Sequence, residues 1–353
     1  MLVLSDRTIT RNSPPWIIAE AGVNHNGDLE AAHLLLEMAA RAGADAVKYQ
    51  FFKADQLVTQ LAPQALYQRR NTGIQQSQYE MLAALELPHS ALQGLCDHAH
   101  ELSLAIGITP FDEESLEAVA VSSADFVKVG SGDCNNYPFL KEIAAVGKPV
   151  IVSTGMATGA EVIHAASQLT HAQYAMLHCV SAYPAPEQEQ NLLALKWMQQ
   201  QLNCPVGYSD HTSGANTACL AVALGAVIFE KHITLSCDAI GPDHRCSLEE
   251  QAFRRYVRAI RETAHILGDG IKRPARCEAD TCLVARRSIT AVRDIEAGQS
   301  ITEADLKMKR PAAGLPPGEL TQVIGRIASR RIPADSQLTY EMLNAFENVL
   351  EVQ

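Results

Sequence analysis

The residues able to do chemistry in this chain gather at the ends of short apolar runs. His211 follows the run PVGYSD and His232 ends AVIFEKH, with a helix-like stretch at 212–225 between them. Two strands joined through a helix lie parallel, so their carboxyl ends share one face, about 5 Å apart if the strands are neighbours. Alternation along a strand sets Ser209 with His211 and Glu230 with His232, and turns Lys231 away. Two imidazoles beside a carboxylate and a hydroxyl suit a divalent transition metal with open positions. The plainer alternative is a pair of hydrogen-bonded histidines at two strand ends. A second constellation is cationic. Lys48 in VKYQ and Lys128 in VKVGSG sit inside apolar runs, where an ammonium without an anionic partner is costly, so an anionic ligand is expected between them. Turns at 130–132 and 153–155 add hydroxyls and backbone N–H groups suited to phosphate or carboxylate.

These groups need a scaffold that collects strand ends. Apolar runs at 16–19, 46–51, 104–108, 126–129, 149–152 and 174–180 alternate with helical patterns and, with the pair above, make eight. That pattern favours a closed (β/α)8 TIM barrel, although an open doubly wound sheet uses the same units. Barrel chemistry comes from the carboxyl ends of several strands. Here the runs end in Glu20, in Lys48 and Gln50, in Thr109, and in Lys128 with Ser131. The remaining four end in Ser153 and Thr154, in Ser181 with Tyr183, in Ser209 with His211, and in Glu230 with His232. Residues 53–103 hold a polar stretch and two helical patterns, an elaborated loop over one barrel mouth. Asp243 and His244 lie in a Gly-Pro loop expected over the same mouth as His232. A helix at 247–267 is expected to open on a capping box of Ser247 and Glu250 and to close the barrel.

A chain of 353 residues suits one large domain and a small one. The reading is a catalytic barrel at 1–270, a Gly-, Pro- and charge-rich linker at 271–286, and a small β-rich domain at 287–353. In the last, Ile295, Ala297, Ile301 and Thr302 match Ile332, Ala334, Leu338 and Thr339 in spacing, which suggests two similar turn-and-strand units. Arg310, in a Gly/Pro loop, is the exposed cation singled out there. A formal charge of −11 argues against general nucleic-acid or membrane-surface binding, so an anionic substrate must meet a local basic site. The longest apolar run, 218–229, is too short to span a bilayer. Nine cysteines without a C-x-x-C pair read as reduced thiols of a cytoplasmic protein.

The motifs EAGVNHNGD, VKYQ, YQRRNTG, SQYEML, ITPFD, VKVGSGDCNNYPFL, STGM, CVSAYPAP, GYSDHTSG, EKHITL, GPDHRCSLE and a late KRP occur in that order. Together they resemble the sialic acid synthase family, over residues 16–343. The resemblance implies a TIM barrel followed by an antifreeze-like (SAF) domain. It also implies condensation of phosphoenolpyruvate with N-acetylmannosamine or a related acetamido sugar, plus water, to N-acetylneuraminate and phosphate. A divalent metal is implied, manganese first and magnesium or cobalt as alternatives, on His211 and His232. Phosphoenolpyruvate is then placed against Lys48, Lys128, Ser131, Ser153 and Ser209, with Thr109 nearby. The sugar falls to Glu20, Gln50, Tyr183, Glu230, Asp243 and Arg310. Glu20, Glu230 and Asp243 are the acid or base candidates, and the sequence does not divide the roles among them. Ser181 stands where some bacterial members carry Asn against phosphate; a serine keeps the donor and shortens the reach. The family also implies a domain-swapped homodimer, with Arg310 reaching the sugar's acetamido group in trans. GPDHRCSLE reads closer to the N-acetylneuraminate branch than to the pseudaminate one. The alternatives are a legionaminate- or pseudaminate-type nonulosonic acid synthase, or a 9-phosphate synthase using a sugar 6-phosphate. Outside the family stand a metal-dependent aldolase and a non-catalytic sugar-binding protein.

Overall fold

The computed structural model describes residues 1–4 and 7–344, in two compact units that divide between Gly268 and Asp269. The first unit is a closed eight-stranded parallel barrel. Its strands are β1 (Trp16–Gly22), β2 (Ala46–Phe51), β3 (Ala105–Pro110), β4 (Phe126–Val129), β5 (Val150–Ser153), β6 (Tyr174–Cys179), β7 (Val206–Asp210) and β8 (Ile228–His232). Each pairs with the next, and β8 closes on β1.

The barrel works because every strand keeps a strict period of two. One phase, including Ile17, Ala19, Val47, Tyr49, Val127, Val129, Tyr208 and Phe229, packs outward into the main core with the helices. The other phase points into the barrel and changes character along its length. At the amino ends Trp16, Ile18, Ala46, Ala105, Phe126, Ile151, Ala175, Leu177 and Ile228 form a separate apolar core. The strands Leu2–Leu4 and Arg7–Ile9 pair antiparallel and add Leu2, Leu4 and Ile9 to it. Phe126 fills the axis so closely that a Cβ on Gly107 would lie 2.1 Å from its ring. Two residues further along, the same inward phase carries Glu20, Lys48, Lys128, Ser153, Ser209, Glu230 and His232. An apolar plug below and polar groups above follow from one alternation.

The helix Leu29–Ala42 is capped by Asp28, which accepts from the Glu30 amide at 2.8 Å, and ends at Gly43 in the left-handed region (φ 86°). After β2 the chain makes its excursion through short helices Ala54–Leu57, Leu66–Thr72 and Gln78–Ala83, the last with a Ser77/Glu80 capping box. An apolar cluster of Val23, Phe52, Met81 and Leu85 fastens it to the strand ends, and Asn71 Nδ2 donates to the Pro242 carbonyl at 2.6 Å. The expected cap at Ser247 is not made. The closing helix is Glu250–Leu267 with Glu249 at its N-cap, while Ser247 Oγ donates to the Asp243 carbonyl at 2.6 Å and accepts from Asn24 Nδ2 at 2.8 Å. Its hydroxyl secures the loop bearing Asp243 instead.

In the second unit the expected linker is folded: it carries a 3-10 turn at Arg276–Glu278 and a helix at Ala279–Ala285, and Leu283 accepts from the Ala312 amide. Strands β9 (Ser288–Ala291) and β10 (Leu306–Lys309) pair antiparallel. The two repeats pair with each other: Ile295 and Ile332 exchange backbone hydrogen bonds at 2.9 and 2.8 Å. Both enter one small core with Ile289, Val323 and Leu338. The end of this domain, 345–353, lies outside the described residues. All nine cysteines are free thiols, and no helix among the described residues is long and apolar enough to cross a membrane.

Candidate active site

A cavity of about 440 Å³ opens at the carboxyl ends of the strands. Two ion pairs occupy its floor. Glu20 Oε1 accepts from Lys48 Nζ at 2.7 Å and from Gln50 Nε2 at 2.9 Å. The backbone must come close for this: Gly22 sits at φ +53°, and a Cβ there would lie 2.9 Å from Glu20 Oε1. Lys128 Nζ donates to Ser153 Oγ at 2.8 Å and to the Val129 carbonyl at 2.9 Å, with Glu230 Oε2 at 3.7 Å. Ser209 Oγ donates to Glu230 Oε1 at 2.8 Å, as the facing positions of β7 and β8 require.

These neighbours set very different acidities. Burial pulls the Lys48 ammonium down to about 7, opposed by Glu230 and assisted by Lys128. Burial alone would raise Glu230, yet Lys128 and Lys48 outweigh it and hold the carboxyl at about 2. Asp243, buried in the loop over the mouth, is pushed up to about 6 by burial, against His211 and Lys48.

His211 and His232 stand with ring centroids 5.6 Å apart. The His211 Nδ1 lies 2.9 Å from the Val180 carbonyl, which can only accept, so Nδ1 carries a proton and Nε2 is the remaining ligand position. Burial disfavours the charged His211 ring, but Cys179, the Val180 carbonyl and Glu230 outweigh it and raise its pKa, so a divalent ion placed there would compete with a proton. Burial, together with His211 and Lys48, keeps His232 well below the ordinary imidazole value, and its buried Nδ1 has no hydrogen-bond partner. Two such rings are an incomplete donor set. Among the described residues no group of three or more His, Cys, Asp or Glu side chains converges so as to hold a metal ion, so an ion held by this pair would need its other positions filled from outside the protein.

Around them, Tyr183 packs on His211 (centroids 4.2 Å apart) and stacks on Tyr67 at 4.9 Å. Ser131 Oγ accepts from the Gly155 amide at 3.0 Å, and Ser181 Oγ is buried at the cavity without a partner. Ser153 and Thr109 do not line the cavity. Ser153 stands behind Lys128, and Thr109, fully buried, lies next to Gln50 in register. Arg310 is exposed in the second unit, directly after β10. Behind the histidines, on the outward phase, Lys231 Nζ bonds the Thr212 carbonyl and lies 3.2 Å from Asp210 Oδ2, with the Tyr256 ring 5.4 Å away.

Two groups of contributors, most of them inside the quoted motifs, have no role assigned from the sequence. Cys179, 3.7 Å from His211 Nδ1, follows Ala175 and Leu177 on the inward phase, and alternation alone could have found it. Tyr67, Met81, Leu82, Leu85 and Phe111 also line the cavity, from the excursion and from the loop after β3. All but Leu85 fall within quoted motifs, but their largely apolar character is that of any core residue, so nothing in the sequence marks them as cavity lining.

The profile of the NeuB family matches residues 35–272, and that of the SAF domain residues 286–344. The chain is 40% identical over 324 residues to N,N'-diacetyllegionaminic acid synthase of Campylobacter jejuni, covering 90% of this chain and 97% of the relative. It is 39% identical to the Legionella pneumophila enzyme of the same name, covering 94% and 95%. With human N-acetylneuraminate-9-phosphate synthase identity falls to 31%, covering 96% and 95%. Among solved structures, an N-acetylneuraminic acid synthetase from Leptospira borgpetersenii superposes with a TM-score of 0.70 at 30% identity, covering 79% of this chain and 94% of that one. The N-acetylneuraminate reading of GPDHRCSLE is therefore the weaker one, because overall likeness runs toward the legionaminic branch.

Proposed function

This chain belongs to the NeuB family, and from that premise we propose that it condenses phosphoenolpyruvate with a diacetamido sugar to give a legionaminate-type nonulosonic acid and phosphate. The two legionaminic synthases at 39–40% identity support the branch. A diacetylated amino product implies a sugar that already bears both acetamido groups, because phosphoenolpyruvate brings no nitrogen.

The observation that carries the reading is the buried pair Lys48 and Lys128, each held against a carboxylate in a cavity that also presents two histidines. Phosphoenolpyruvate, with about three negative charges, needs such a local cationic site within an acidic chain. Lys128 and Ser131 receive its anionic groups, with Ser153 fixing Lys128 from behind. His211 and His232 are the residues that would hold a divalent ion, manganese first, which when bound supplies Lewis-acid polarisation of the sugar's aldehyde.

Unequal acidities divide the roles left open among the carboxyls. The enol carbon of phosphoenolpyruvate bonds to the aldehyde carbon, and Asp243, with its pKa near 6, gives the carbonyl oxygen its proton. Glu230, ionised at any working pH, stabilises the positive charge that develops at the carbon bearing phosphate. Water adds there and returns one proton to Asp243. The carbon–oxygen bond to phosphate then breaks, the keto group forms, and the last hydroxyl proton leaves with phosphate. Glu20 anchors Lys48 and Gln50 on the sugar side.

The test is phosphate release from phosphoenolpyruvate across N-acetylmannosamine, its 6-phosphate and a diacetamido hexose. Release is expected to be fastest with the diacetamido sugar. No release with any sugar overturns the reading, as an aldolase or a binding protein liberates none.

A further inference from the structure

The cavity lining is uneven. Toward β7 and β8 it is ionic. Beyond the ends of β1 and β3 it is walled by Val23, Met81, Leu82, Leu85 and Phe111. Val23, Met81 and Leu85 are buried in a small apolar cluster, with Leu82 and Phe111 packed against it and partly exposed. Phosphoenolpyruvate, compact and trianionic, gains nothing from such a wall, and neither does a sugar hydroxyl. The wall starts three residues after Glu20, across the close turn at Gly22. Glu20 Oε2 is buried in the cavity lining with no hydrogen-bond partner, since the ion pair with Lys48 and the bond from Gln50 both fall on Oε1. A lone acceptor beside an apolar wall matches a group that is part N–H and part methyl.

We infer that this wall is the subsite for the second acetamido group of the sugar, whose N–H donates to Glu20 Oε2 and whose methyl packs on Leu82, Met81 and Phe111. The inference rests on the diacetamido reading above and adds the residues that select for it. Charge agrees with it. Among the described residues the wall itself carries no charged side chain, whereas Lys48 and Lys128 lie with the carboxylates on the cavity floor, so a phosphorylated sugar arm laid on the wall would meet no cation there.

Leu82 is the residue to change, because it is partly exposed on the excursion and its replacement spares the buried cluster. Phosphate release is followed with a mono-acetamido hexose, N-acetylmannosamine, and with the same hexose bearing a second acetamido group. Discrimination by one apolar contact of this size is about tenfold or more. Wild-type enzyme is expected to favour the diacetamido sugar in kcat/KM, and Leu82→Asn to shrink that ratio about tenfold, while Leu82→Met retains it. An unchanged ratio in Leu82→Asn, with both sugars losing equally, overturns the subsite and leaves a wall that merely seats the excursion. Equal use of both sugars by wild type also overturns the subsite but leaves the condensation standing. Release with neither sugar overturns the condensation itself and the subsite with it.

Discussion

Lys128→Met tests the anion site most directly. Methionine keeps the length and the apolar stem of the side chain, so the plug beneath is undisturbed. The variant loses the bonds to Ser153 Oγ at 2.8 Å and the Val129 carbonyl at 2.9 Å, and the attraction of Glu230 Oε2 at 3.7 Å. Each charged hydrogen bond to phosphoenolpyruvate contributes ~1.5–3 kcal/mol, so affinity should fall about tenfold to a hundredfold. Stability responds with a definite sign. The folded carboxyl of Glu230 lies at about 2, below its ordinary 4.5, so it stabilises the fold above the ordinary value and ceases to as pH falls toward 2. Full return of Glu230 to 4.5 would cost about 3 kcal/mol at neutral pH, at ~1.36 kcal/mol per pKa unit. Lys48 and the Ser209 hydroxyl remain, so a loss of ~1–2 kcal/mol is expected, visible at pH 7 and nearly absent at pH 2. The assay is calorimetric titration with phosphoenolpyruvate without sugar, beside thermal unfolding at the two pH values. Affinity within about twofold of wild type, or an equal stability loss at both pH values, refutes the reasoning.

Other consequences follow from the same geometry. Asp243→Asn should raise the unfolding temperature at pH 8 and have no effect near pH 4: its folded pKa of about 6 exceeds the ordinary 3.8, so the ionised form costs stability above pH 6 and the penalty disappears as the folded protein takes up a proton. A gain that persists at pH 4 would contradict this. His211→Ala and His232→Ala should each weaken Mn(II) binding at least tenfold in a spin-resonance titration while unfolding stays cooperative; unchanged binding removes the histidines from the metal site. Gly22→Ala should lower kcat/KM for the sugar more than affinity for phosphoenolpyruvate, because the new methyl strikes Glu20 Oε1 and Gln50 Nε2. Equal losses would place the strain elsewhere.

Much of the barrel is legible because alternation does two things at once. The phase that makes Ile17 and Val47 core residues also turns Glu20 and Lys48 inward, so reading the strands nearly reads the floor of the site. Lys231 turns away as alternation requires, yet its burial against Asp210 depends on a helix that packs from outside the strand pair. Ser247 shows the limit of local rules. Its sequence suits a cap, but a loop carbonyl and Asn24, brought from 223 residues away, claim the hydroxyl. The apolar wall has no role assigned from the sequence for a related reason, although SQYEML and ITPFD hold part of it: leucine and methionine look the same whether they face a core or a ligand.

The pair Asp210–Lys231 also divides the molecule's freedom to change. Behind β7 and β8 a buried ion pair and Tyr256 brace the histidine half, so a substitution at either partner leaves the other as an uncompensated buried charge. The half over β1 to β3 is covered by an excursion whose contacts are mostly apolar and individually replaceable. A lineage could therefore exchange the sugar it recognises by remodelling residues 52–91 while inheriting the reaction intact, and a loop graft between members of the family would be the laboratory form of that step.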